Sequence, residues 1–179
     1  MTPCYVSGKG MYATATTWDF KESVIDSLET SGLGYDTRFR YYQGEFPDMD
    51  RKRLARLICD PIEFYDRGWP QYWANKKNEL DKDQAVTEYM WSLDQRFHKE
   101  AQLNVVCFDE AGLGTGMNVM RFLHVGKPLL GFYNPSAKRF GVNLHNMLQL
   151  RLEFPGLVTL VQYQSMEDIT QALIDYLRK

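Results

Sequence analysis

Residues 103–108 (Leu-Asn-Val-Val-Cys-Phe) and Leu129–Tyr133 are short apolar runs, too continuous for strands with one wet face. Strands of this kind are covered on both sides, which is the habit of parallel sheets. The stretch between them is helix-length. Gly114-Thr115-Gly116 opens a helix over 117–125, and Gly126-Lys127-Pro128 closes it. A strand, a helix and a second strand in one direction make a βαβ unit, and this alternation constrains the fold more than any other feature.

The alternation extends to both ends. Residues 4–7 read as a strand running into Ser7-Gly8-Lys9-Gly10. A helix follows from about Thr17, with Phe20, Val24 and Leu28 at i, i+4 and i+8 and a stop at Ser31-Gly32. Residues 35–42 alternate enough to predict a second strand. Residues 84–101 predict a helix with Val86, Met90, Leu93 and Phe97 on one face. A helix at 142–153, a strand at 157–162 and a last helix behind Ser165-Met-Glu-Asp168 complete the pattern. The expected fold is a flavodoxin-like or Rossmann-like α/β sheet, parallel, with helices on both faces. The chain of 179 residues suits one domain with its own core. Residues 44–83 break the pattern, with Pro47, Pro61 and Pro70 and a helix near 49–59, and read as an insertion or lid. Aromatic residues, 14% of the chain, concentrate between Tyr41 and Trp91, where they are expected to pack cores and interfaces.

Net charge decides against one class of partner. The balance is −2, so no overall field draws nucleic acid. No apolar run approaches the roughly 20 residues that span a bilayer, so no membrane is expected. MTPCYVSGKG lacks the pattern of a signal peptide, which predicts a cytoplasmic protein. Cys4, Cys59 and Cys107 lack metal-ligand spacing and read as buried reduced thiols. His98, His124 and His145 read as structural or surface residues. No metal or cofactor is expected.

In such a sheet, ligands bind beyond the carboxyl ends of the strands, where strand order reverses. Three segments occupy such positions. Ser7, Gly8, Lys9 and Gly10 offer backbone amides and a cation, and read as a plain turn or a phosphate cradle. Asp109 and Glu110 follow a buried strand and precede Gly112, Gly114, Thr115 and Gly116. There the carboxylates suit sugar hydroxyls and the helix start suits an anion, or both acids simply solvate the turn. Asn134, Ser136, Lys138 and Arg139 face a phosphate, a neighbouring subunit or solvent.

The run from Gly114 to Leu130, Gly-Thr-Gly-Met-Asn-Val-Met-Arg-Phe-Leu-His-Val-Gly-Lys-Pro-Leu-Leu, resembles a stretch of nucleoside 2-deoxyribosyltransferases and of the related 2′-deoxynucleoside 5′-monophosphate N-glycosidases. There a G-T-A-F-E-I-G-Y-A or G-V-G-Y-E-L-G-R-A helix runs into G-K-P and a strand. Phe132-Tyr-Asn-Pro-Ser-Ala-Lys-Arg139 and Val161-Gln-Tyr-Gln-Ser-Met-Glu-Asp-Ile169 are similar to the glycosidase branch. The likeness covers roughly 93–179 and, weakly, the opening strand, loop and helix; it does not cover 44–83.

The resemblance implies glycosyl chemistry by a glutamate nucleophile, assisted by an aspartate and a tyrosine. Tyr5 matches the tyrosine, and Asp94, eight residues before Gln102, matches the aspartate. The nucleophile position holds Asn118, whose neutral amide supplies no anionic oxygen. Either Glu110 or Asp109 replaces it, or the protein binds a nucleotide without cleaving it efficiently. Gly112 also stands where the glycosidase branch has a serine that contacts phosphate. The implied function is N-glycosidic hydrolysis or base exchange on a 2′-deoxynucleoside or its 5′-monophosphate, or nucleotide binding alone. The implied partners are that small molecule and further copies of the chain in a homo-oligomer.

Overall fold

Strand β1 (Thr2–Ser7) is seeded by Cys4, Tyr5 and Val6, all buried. The computed structural model describes residues 1–9, 14–57, 68–136 and 140–179. Gly10, Cys59, Lys138 and Arg139, all singled out above, lie outside the described residues. After β1 come helix α1 (Ala15–Ser31), strand β2 (Gly34–Asp36), and helices α2 (Thr37–Glu45), α3 (Arg51–Leu57), α4 (Trp69–Lys76) and α5 (Lys82–Glu100). Strand β3 (Leu103–Cys107), helix α6 (Leu113–His124) and strand β4 (Leu129–Tyr133) form the βαβ unit read from the sequence. Helix α7 (Phe140–Glu153), strand β5 (Val158–Gln162) and helix α8 (Met166–Leu177) end the chain.

All strand pairings are parallel, in the order β2-β1-β3-β4-β5. This is the flavodoxin-like order, with the reversal between β1 and β3. Every residue of β3 is buried, as expected of a strand covered on both faces. Alternate residues feed the two layers. Val105, Cys107, Leu130 and Phe132 join the core under α1 and α8, where the Phe20 and Phe132 rings meet edge to face at 5.6 Å. Val106, Phe108 and Leu129 join Val119 and Leu123 of α6 and Met147 of α7 on the other side. Gly131 is small for a packing reason: a Cβ there would lie 2.4 Å from the Phe108 ring.

One expectation changes. The predicted strand at 35–42 stops at Asp36, and Thr37–Glu45 is helix α2. The Asp36 carboxylate, fully buried, accepts from the Phe39 amide at 2.8 Å and the Val6 amide at 2.7 Å. It therefore caps α2 and ties the helix start to β1. The irregular 44–83 stretch contributes to the core as well: Leu54 and Ala55 of α3 are buried against the main cluster. The capping boxes at Asp81/Gln84 and Ser165/Asp168 start α5 and α8.

Candidate functional site

The β1–β3 reversal brings three side chains from distant parts of the sequence into one hydrogen-bonded set. Tyr5 points from β1 toward α5 and α6, and its hydroxyl donates to Asp94 Oδ1 on α5 at 3.2 Å. Asn118, one turn into α6 from Gly114, donates its Nδ2 to the same hydroxyl oxygen at 3.4 Å. Because the amide fills an acceptor position on the phenol, the phenol proton is directed at Asp94.

Arg38, in the first turn of α2, lies over the set. Its guanidinium is 4.2 Å from the centre of the Tyr5 ring and donates to the Val6 carbonyl. The His98 ring, one turn after Asp94 on α5, meets the Tyr5 ring edge-on at 4.3 Å, and Phe122 closes the apolar side at 5.9 Å.

These surroundings shift the titrations. Burial pushes the Tyr5 phenol well above the ordinary range; the Arg38 charge opposes this, and Asp94 adds to it. Burial also raises the Asp94 carboxyl, against the opposing charges of Arg38 and Arg121 and the Tyr5 hydrogen bond. His98 is held down to about 3, first by burial and then by Arg121, Arg38 and Lys127, so the imidazole stays neutral. Among the described residues neither ring nitrogen has a hydrogen-bond partner, so this histidine packs as a ring.

The glycine-flanked acids both hydrogen-bond within the chain. Asp109 is 3% exposed, and both its oxygens are engaged. Oδ1 accepts from the Asn134 amide at 2.7 Å and Oδ2 from the Tyr163 hydroxyl at 2.5 Å, which ties the end of β3 to the ends of β4 and β5. Glu110 Oε2 takes the hydroxyls of Thr17 at 2.6 Å and Thr14 at 2.9 Å, and the Thr14 amide at 3.0 Å. Burial raises its pKa, but those donors and the Lys9 ammonium, 4.0 Å away, outweigh burial and leave it lowered. Glu110 thus fastens the start of α1, and no described contact joins it to Tyr5 or Asn118.

The remaining predicted residues divide similarly. Ser7 is buried and donates to Asn104 Oδ1 at 2.8 Å, so its hydroxyl serves the strand interior. Gly8 packs against β3, where an added Cβ would come 3.2 Å from Cys107 Cβ. The Lys9 carbonyl accepts from Lys21 Nζ at 3.0 Å. Thr115 is buried, whereas Gly112, Gly114 and Gly116 border open space at the start of α6. In the third segment, the Ser136 amide donates to Asn134 Oδ1 at 2.9 Å, an Asx turn.

Arg38 is the site residue that sequence reading missed, because it fell inside the predicted strand. An acid at 36, three residues before Phe39 and six before Tyr42, is the helix-start signal that marks it. Among the described residues, no group of three or more His, Cys, Asp or Glu is placed to hold a metal ion. No helix among them is long and apolar enough to cross a membrane. Neither the protein-family models nor the curated proteins compared with the chain include a match to it.

Proposed function

We propose that the chain binds a 2′-deoxynucleoside or its 5′-monophosphate with the sugar against Tyr5, Asp94 and Asn118, and hydrolyses its N-glycosidic bond. The observation that carries this reading is the Tyr5 hydroxyl held between Asp94 and Asn118, side chains 89 and 113 residues away from it in sequence. It leaves Asp94 as the one carboxylate of the set, with an elevated pKa suited to accepting a proton.

Asn118 decides the course of the reaction. An amide does not form a glycosyl ester, so the two-step route that lets a second base recapture the sugar is closed. Direct displacement remains. A water oxygen bonds to the anomeric carbon as the C–N bond breaks, the bonding pair leaves with the base, and Asp94 takes the water proton. Hydrolysis is therefore favoured over base exchange, and the rate is low, since loss of a covalent nucleophile costs orders of magnitude.

One observation favours a second reading, nucleotide binding without turnover: the Asn118 amide donates to Tyr5 in the place where the resemblance implies a carboxylate. A panel of deoxynucleosides and their monophosphates, followed by chromatography for free base, separates the two. Released base supports hydrolysis. Thermal stabilisation by nucleotide with no base released supports binding alone. Neither base nor stabilisation sinks both. Asn118→Glu is expected to raise base release by about 100-fold or more by restoring a nucleophile. No gain, despite intact nucleotide binding, would remove residue 118 from the reaction. The same reading carries a cytoplasmic homo-oligomer, which sedimentation velocity and cell fractionation test.

A further inference from the structure

Helices α5 and α6 border a groove of about 1010 Å³ whose lining includes Leu113, Met117, Met120 and Phe122 of α6. Leu113 and Met117 are 84% and 48% exposed, and Val125, just past the helix, is 67% exposed. Three of the seven large apolar side chains exposed among the described residues thus line this one groove. Isolated exposed apolar residues need no explanation; a contiguous strip does.

The polar lining has one sign. Lys99, Arg121 and Lys127 line the groove, with His98 and His124, and no acidic residue among those described lines it, although the chain as a whole carries a net charge of −2. Lys127 is engaged, donating to the carbonyls of His98, Lys99 and Ala101 at 2.7, 3.0 and 2.6 Å. Lys99 and Arg121 are left to set the charge of the walls. Pairing this groove with itself across a two-fold axis would set cations against cations, which disfavours a second copy as its occupant.

Shape narrows the choice further. The 12 residues of α6 give a groove about 18 Å long at 1.5 Å per residue. A third helix laid between two others fits such a trough, with apolar anchors at i, i+3 or i+4, and i+7. A flat membrane surface does not fill a trough.

We propose that the α5–α6 groove is the docking site for an acidic amphipathic helix of another protein. Its apolar face covers Leu113, Met117 and Met120, and its carboxylates meet Lys99 and Arg121. The groove backs onto the candidate site, since His98 and Phe122 line it and also pack on Tyr5, but docking there needs no step of the reaction proposed at Tyr5.

The test uses the full chain and a synthetic helical peptide of about 14 residues, with leucines at the anchor positions and glutamates on both flanks. Titration by fluorescence anisotropy is expected to show saturable binding that weakens as salt is raised. Met117→Glu and Lys99→Glu should each weaken binding at least about tenfold, since each removes an anchor or reverses a wall charge. Both side chains reach solvent, so circular dichroism melting should stay close to the parent. Should either variant fail to fold, Leu113→Glu carries the same test. A matched peptide with lysines for glutamates should bind at least about tenfold more weakly. No binding of the acidic peptide overturns the proposal, as does equal binding of the lysine peptide. So does binding of anionic phospholipid vesicles in place of the peptide, or a dimer in sedimentation that Met117→Glu converts to monomer.

Discussion

Asp94 illustrates how a residue can serve the site at the expense of the fold. Its folded-state pKa is raised by burial, with Arg38, Arg121 and the Tyr5 hydroxyl offsetting only part of the penalty. A raised folded-state pKa means that the native state holds the proton more tightly than the unfolded chain does. That contribution is fully present below the ordinary aspartate range and is lost as pH rises through the raised value. At neutral pH the ionised side chain therefore works against stability. Asp94→Asn keeps an acceptor for Tyr5 and removes the buried charge. It is expected to raise Tm at pH 7, with the difference from the parent vanishing in acid, and to lower base release by about 100-fold or more. A lower Tm at pH 7 would show that the ionised carboxylate is stabilised overall. Glu110 has the opposite sign: its lowered pKa supplies stability above the ordinary glutamate range, lost as pH falls through the folded value. Both acids were visible in the sequence as candidates, and only the fold separates their roles. The lone pairs of Glu110 are taken by Thr14 and Thr17, more than 90 residues away in the chain, and no local pattern announces that.

At the level of elements, the junction Gly126-Lys127-Pro128 was legible as a helix stop, and its physical content is larger. Gly126 has φ 74°, a left-handed conformation, and its amide reaches back to the Leu123 carbonyl at 3.0 Å. Lys127 then leaves α6 and caps a different helix, α5, through three of that helix's terminal carbonyls. A cation at a helix carboxyl end meets both the unpaired carbonyls and the negative end of the dipole. Lys127→Met keeps most of the chain length and deletes the donors. It is expected to lower stability by about 1–3 kcal/mol and to speed amide exchange in the last turn of α5. An unchanged urea midpoint would show that water replaces the ammonium without loss. The misread element, 35–42, shows the converse. Alternation in Tyr35 and its neighbours imitates a strand, while the deciding interaction, the Asp36 carboxylate on the Phe39 amide, is a helix cap. Cap chemistry over three residues outweighed the period over eight, and Arg38 reached the site as a result.

For the whole molecule, topology does most of the positioning. The β2-β1-β3-β4-β5 order puts the reversal between β1 and β3, so Tyr5 leaves one side of the switch as α6 begins on the other. Strand–helix alternation made the layers and this location legible, because buried parallel strands leave an unbroken apolar signature. The 44–83 stretch was not legible in the same way, since its helices follow no βαβ rhythm and the sequence suggested an insertion or lid. Its helix α3 nevertheless supplies Leu54, 1% exposed, to the same core cluster as Phe20, Val24 and Phe39. A free-standing lid would contribute little to global stability, whereas a core element unfolds with the rest. Leu54→Ala is therefore expected to cost about 2–4 kcal/mol, the range for large-to-small changes in a packed interior. The loss should appear as a shift of one cooperative transition, with the denaturant slope unchanged. A loss near zero, or a separate early transition assigned to α3, would show that this stretch opens independently of the sheet, as a lid would.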